Sequence, residues 1–297
     1  MRAARLLAAL ILVAVVGLAA CGGSTVKVGD TGRSSSPAPT TLRIALLHLA
    51  PASGDLAANT TLIAGAVEEA AARGADWCVT PELALSGYYF RDRIGLRWIG
   101  PRWKSHAAVL SRLARDNDVA LFAGMPTRDG APRRLHNSVL VVDRSGSVLG
   151  AYHKRSVIPG TVEGWAAPGR APGVFDVDGV AAGVLICADA WPRRFARETA
   201  AAGAQILVSP ACWAPGEMGP NGVWERDSRL TGLPLLVCNT TGRVKGGDDR
   251  RAASVVDDHG RRLLTFRSPT SEVFLVDWDR QAGTFASAGS FTPAAAR

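Results

Sequence analysis

Glu82, Lys154 and Cys187 are three reactive side chains, each standing just beyond an apolar run. Glu82 follows Trp77-Cys78-Val79-Thr80-Pro81, Lys154 follows Tyr152-His153, and Cys187 follows Gly183-Val184-Leu185-Ile186. A carboxylate, an ammonium and a thiol gathered at strand ends suffice for acyl transfer. The carboxylate takes a proton, the thiol attacks a carbonyl carbon, and the ammonium holds the charge that develops on oxygen. Each residue alone also has an ordinary structural reading: a core cysteine, a solvated strand-end acid, a surface lysine beside Arg155. Their equivalent placement at sheet edges, where α/β proteins bind ligands, favours the chemical reading. Asp189, two residues after the thiol, reads as a turn or capping residue.

The elements that must position this trio follow from hydrophobic periodicity. Strands are expected at residues 42–47, 77–80, 119–123, 180–186, 205–209 and 234–238, with helices at 56–72, 103–116, 192–202 and 224–230. Residues 136–142 and 147–152 flank Asp143-Arg144-Ser145-Gly146, a turn sequence that predicts a hairpin. Two further strands, 252–256 and 272–276, close the body. Strands alternate with helices in two similar halves, which predicts an α/β layered domain. The strands are nearly continuous in apolar character, so both faces of each sheet should be covered.

The ends read differently from the body. Arg2 and Arg5 precede an apolar run, and Leu18-Ala19-Ala20 stands directly before Cys21. That layout predicts a signal peptide over 1–20, and the Leu-Ala-Ala-Cys ending resembles a bacterial lipobox, in which Cys21 is lipidated. Residues 21–40 then form a Gly-, Ser- and Pro-rich tether, 41–279 a single globular domain, and 280–297 an arm or disordered tail. The expected location is the cell envelope, with the domain lipid-anchored on the outer face of the cytoplasmic membrane or otherwise extracytoplasmic. The net charge of +8 comes from arginine, with lysine only at 27, 104, 154 and 245. No basic block exceeds two residues and no nucleic-acid motif occurs, so a nucleic-acid partner is not expected. Cys78, Cys212 and Cys238 read as structural thiols, and no cysteine pair has metal-ligand spacing.

Taken together, the segments Pro81-Glu82-Leu83 with Gly87-Tyr88, Tyr152-His153-Lys154, Ile186-Cys187-Ala188-Asp189 and Gly203 to Pro210 resemble the nitrilase superfamily of carbon–nitrogen hydrolases. The spacings, 154 − 82 = 72 and 187 − 154 = 33, also suit that family. The resemblance implies a four-layer αββα sandwich and a Glu-Lys-Cys triad. Glu82 would be the general base, Cys187 the nucleophile that forms a thioester, and Lys154 with the Ala188 N–H the oxyanion site. Glu163 matches a second glutamate of the family's amidases and would orient Lys154 or the substrate nitrogen. Tyr88, Tyr89 and Trp213 are candidate pocket walls. Ala188 stands where the family often has an aromatic or acidic residue, and Arg226, Asp227 and Arg229 match the usual Arg/Glu helix only in part. The implied substrate is a small linear amide, with nitrile hydrolysis, N-acyl transfer and a non-catalytic ligand-binding lipoprotein as alternatives. No metal or organic cofactor is implied, and homo-oligomers through a shared helical face are common in the family.

Overall fold

The computed structural model describes residues 40–130, 134–213, 222–242, 253–256, 259–285 and 294–295. The expected signal peptide, Cys21 and all but the last residue of the tether lie outside the described residues. The first half of the chain runs β1 (Thr41–His48), α1 (Leu56–Ala72), β2 (Trp77–Val79), α2 (Arg91–Ile94), α3 (Ile99–Asp116), β3 (Ala120–Asp129), β4 (Arg134–Val142) and β5 (Val148–His153). The second runs β6 (Gly173–Val177), β7 (Val180–Val184), a 3₁₀ turn (Cys187–Ala190), α4 (Arg193–Ala201), β8 (Ile206–Ala211), α5 (Val223–Thr231) and β9 (Leu235–Asn239). It closes with β10 (Ala253–Val256), β11 (Arg262–Phe266), β12 (Glu272–Asp279) and β13 (Ala294–Ala295).

These strands make two mixed sheets, ordered β13-β12-β1-β2-β3-β4-β5 and β11-β10-β9-β8-β7-β6. The centre of each is parallel: β1, β2 and β3 in one, β7, β8 and β9 in the other. A parallel neighbour requires a crossover, and α1, α3, α4 and α5 supply it. Asp55 caps the first, its carboxylate accepting from the Ala58 N–H at 2.9 Å.

Strand side chains alternate between faces, and the two apolar clusters follow that alternation. Ile44, Leu46, Trp77, Val79 and Phe122 pack towards Val184, Val208 and Leu236 of the other sheet. The intervening residues Ala45, Leu47, Cys78, Leu121 and Ala123 pack instead under Ile63, Val67 and Ala70 of α1 and Leu110 and Ala114 of α3. Phe195 and Ala196 of α4 and Trp224 of α5 belong to the cluster that includes the second sheet. The result is the expected layering, helices outside and two sheets face to face. It contains three strands that periodicity did not announce, β6, β11 and β13, each short or at a sheet margin. The last pairs with Glu272 and Val273, while most of the expected tail lies outside the described residues.

One buried acid joins the two sheets beside the trio. Asp189 is fully buried and accepts from Tyr152 Oη at 2.7 Å and from the backbone N–H groups of Arg155 at 3.0 Å, Ser156 at 2.6 Å and Ile186 at 3.0 Å. Tyr152, Arg155 and Ser156 belong to the segment carrying Lys154, whereas Ile186 precedes Cys187. The turn-or-cap reading of Asp189 was therefore half the story: it caps its own 3₁₀ turn and also clamps the neighbouring segment to it. Removing the carboxylate strands buried donors, each costing about 1–3 kcal/mol. Asp189→Ala should lower unfolding stability by roughly 2–5 kcal/mol in urea titration, and Asp189→Glu should not restore it.

Candidate active site

Glu82, Lys154, Cys187 and Glu163 come together at one end of the facing sheets, and all four are buried. Glu82 lies on the turn after β2, whose Leu83 adopts a left-handed φ of 52°. Gly124 on β3 lets that turn approach, since a Cβ there would stand 2.1 Å from the Pro81 carbonyl oxygen. Lys154 follows β5, its N–H donating to the Asn137 carbonyl at 2.8 Å. Cys187 opens the 3₁₀ turn after β7 with φ 48°, a region that costs a non-glycine residue about 1–3 kcal/mol and recurs at functional turns. Arg226 of α5 reaches the Ala190 and Trp191 carbonyl oxygens at the far end of that turn and pairs with Asp227 at 2.8 Å. The partly matched helix thus braces the thiol-bearing turn.

The ammonium is the hub. Lys154 Nζ donates to Glu82 Oε1 at 2.7 Å and to Glu163 Oε1 at 2.5 Å. Asn137 Nδ2 donates to the same two oxygens, at 2.7 and 3.3 Å, and Tyr88 Oη donates to Glu163 Oε1 at 2.8 Å. The other Glu82 oxygen accepts from the Cys212 N–H at 3.0 Å, and that same N–H is a partner of the Cys187 sulfur. Of the two placements offered for Glu163, lysine or substrate nitrogen, the geometry realises the first.

The charges sort themselves by environment. Burial opposes ionisation of Glu82, but Lys154 and the hydrogen bonds outweigh it and hold the carboxyl below its ordinary range. Glu163 is pushed up to about 7, by burial first and then by the charge on Glu82. Burial works against the Lys154 ammonium too, yet the acids keep it charged with a raised pKa. Burial and the nearby Glu82 raise the Cys187 thiol. The resting site is therefore a neutral thiol, an ionised Glu82, a lysine cation and a Glu163 poised between forms. That arrangement gives the thiol a waiting base and the developing oxyanion a fixed cation.

A cavity of about 500 Å³ opens onto Glu82, Tyr88 and Cys212, with Tyr89, Asp92 and Arg93 on its walls. The expected wall residues Tyr88 and Tyr89 are there. Trp213 packs edge-on between Trp191 and Trp224, and its backbone N–H donates to Asn239 Oδ1 at 2.9 Å. Cys78, Cys212 and Cys238 are buried and not joined in disulfides, and the Cys212 backbone N–H serves the site. Two participants escaped sequence reasoning. Asn137 sits on a strand that also carries Arg134, His136 and Ser138, so nothing singled it out, and a backbone N–H carries no signal at all.

A carbon–nitrogen hydrolase family model matches residues 43–284. The chain belongs to the carbon–nitrogen hydrolase family, within the nitrilase superfamily, and is an enzyme of that class. It is 30% identical over 262 residues to a glutamine-dependent NAD(+) synthetase of Xylella fastidiosa, a match covering 82% of this chain and 46% of the relative. The chain thus spans a little under half the length of that relative. A hydrolase of Mycobacterium tuberculosis is 32% identical over 218 residues, covering 70% of this chain and 75% of its own. The amidase of Nesterenkonia sp. AN1 superposes with a TM-score of 0.71 at 26% identity, covering 79% of this chain and 92% of the amidase; in that structure acrylamide has added to the active-site cysteine.

The raised Glu163 carboxyl has a thermodynamic consequence. Between about 4.5 and about 7 the folded protein holds a proton that the unfolded chain has released, so stability falls as pH rises through that window. Glu163→Gln should flatten this part of the unfolding free-energy profile relative to wild type, measured by denaturant titration at pH steps.

Proposed function

We propose that this enzyme hydrolyses a small, linear, non-peptide amide to a carboxylic acid and ammonia or an amine through a thioester on Cys187. The observation that carries the reading is the Lys154 ammonium held against Glu82 and Glu163 at 2.7 and 2.5 Å beside a buried thiol. As the substrate carbonyl carbon meets the sulfur, Glu82 accepts the thiol proton, and the oxyanion is held by Lys154 and the Ala188 N–H. Glu82 then returns the proton to the departing nitrogen, leaving the thioester. Water, deprotonated by the same carboxylate, attacks the thioester; the acid departs and the thiol is regenerated. Glu163, fixed by Tyr88 and Asn137, keeps the lysine aimed while Glu82 changes protonation. The amidase likeness supports amides over nitriles. The Leu18-Ala19-Ala20-Cys21 ending supports lipid-anchored action outside the cytoplasm.

Intact-protein mass spectrometry with a panel of short amides, alongside ammonia release, tests this directly. Wild type should release ammonia with transient acyl mass. The adduct should vanish in Cys187→Ala, and turnover should fall on the order of 10²–10⁴-fold in Glu82→Gln. Ammonia release surviving in Cys187→Ala would refute the thioester route, and turnover of nitriles with no amide accepted would refute the substrate class.

A further inference from the structure

Behind the catalytic strands sits a second cluster of ligating side chains. Pairing register places Thr127 opposite His136 and Ser138 opposite His153, so these four and Asp129 share one face of the sheet. That face is opposite to the one through which Asn137 reaches Glu82 and Glu163. One ligating atom from each of Asp129, His136 and His153 lies within 4.8 Å of the others.

The hydrogen bonds decide which ring nitrogens are available. His136 Nδ1 is 2.7 Å from the Ala167 carbonyl oxygen, which can only accept, so Nδ1 carries the proton. In the neutral ring, Nε2 then presents a lone pair, and Asp129 Oδ2 stands 3.0 Å away. Two acceptors face each other across that gap. Nε2 is buried, and Asp129 Oδ2 is the polar group that faces it. His153 is held at the same ring position, its Nδ1 standing 2.7 Å from Ser138 Oγ, a hydroxyl that can donate or accept and is itself bonded to Thr127 Oγ1 at 2.6 Å. Fixing one imidazole nitrogen with a carbonyl or hydroxyl while the other turns to a common point is how metal-binding histidines are held.

We propose that Asp129, His136 and His153 form a binding site for a divalent first-row transition ion of the zinc class, on the face of β3, β4 and β5 opposite the catalytic residues. Two imidazoles and one carboxylate suit such an ion and leave positions open to water or an exogenous ligand. At metal–nitrogen distances of about 2.0–2.1 Å, adjacent ligand atoms in a tetrahedron stand about 3.3 Å apart, close to the 3.0 Å gap between His136 and Asp129. The two rings stack at 4.1 Å and 17°, so His153 must tilt to direct its lone pair inwards. Its half-buried position and the exposed Asp129 allow that adjustment. A cavity of about 550 Å³ bordered by Arg134, Arg170 and Phe175 gives the ion a path from solvent and room for further ligands. His136 adjoins Asn137 and His153 adjoins Lys154, so an ion here would brace the strand ends behind the catalytic cluster.

Purified full-length protein, stripped with chelator, would be titrated with Zn²⁺ by calorimetry and with Co²⁺ by visible absorption. Wild type should bind one equivalent, with cobalt d–d bands and no thiolate charge-transfer band. Asp129→Ala and His153→Asn should each weaken binding by at least about 100-fold. Their melting temperatures in chelator should match wild type, because Asp129 is exposed and His153 half-exposed. On wild type itself, Zn²⁺ should shift the ¹⁵N resonances of Nε2 in His136 and His153 and leave those of His48 in place, a readout that does not depend on any variant folding. No binding by wild type, wild-type affinity retained in either variant, a thiolate band, or unmoved Nε2 resonances would each overturn the site.

Discussion

A single ammonium buried between two carboxylates is the interaction on which the rest of this structure depends. Taking charges out of water is expensive, and removing one partner of such a group typically costs about 3–5 kcal/mol. The cost is tolerable here because every member is hydrogen-bonded. Lys154 donates to both acids, Asn137 bridges the same two oxygens, and Tyr88 and the Cys212 N–H fill remaining positions. With two acids and one lysine, full ionisation would leave net negative charge in a dry site. Glu163 relieves this by holding its proton to about 7, which leaves Glu82 as the ionised base.

That cluster cannot be built by either sheet alone. The first sheet brings Glu82 and Lys154 from beyond the ends of β2 and β5 and Asn137 from within β4, and the second brings Cys187 and the Cys212 N–H from beyond the ends of β7 and β8. Close sheet packing with small tolerances is therefore a catalytic requirement as much as a stability requirement. Asp189 and Arg226 serve it from either side. The acid ties the Lys154 segment to the cysteine turn, and the arginine holds the turn's last carbonyl groups from α5.

Much of this was legible in the chain because the fold repeats one unit. Apolar strands ending in a single reactive residue, followed by helices of regular period, announced both the layers and Glu82, Lys154 and Cys187. What stayed hidden depends on contacts between distant segments. Nothing local distinguishes the Cys212 N–H from any other, and Asp189 looks like a cap because it is one. Trp213, read from the chain as a candidate pocket wall, packs against two other tryptophans, contacts that no local pattern announces. The histidine–aspartate cluster was equally invisible, since its three members come from three strands and share only a sheet face.

The central claim is that the buried acid–lysine pair makes Cys187 a nucleophile, although burial alone would leave it as inert as Cys78 and Cys238. The most direct measurement is the rate of iodoacetamide alkylation of each cysteine, read by peptide mass spectrometry on the folded protein. Cys187 should react first by a wide margin, and Glu82→Gln should slow it on the order of 100-fold while leaving the other thiols unchanged. Equal reactivity among the buried thiols, or a Cys187 rate indifferent to Glu82, would contradict the account.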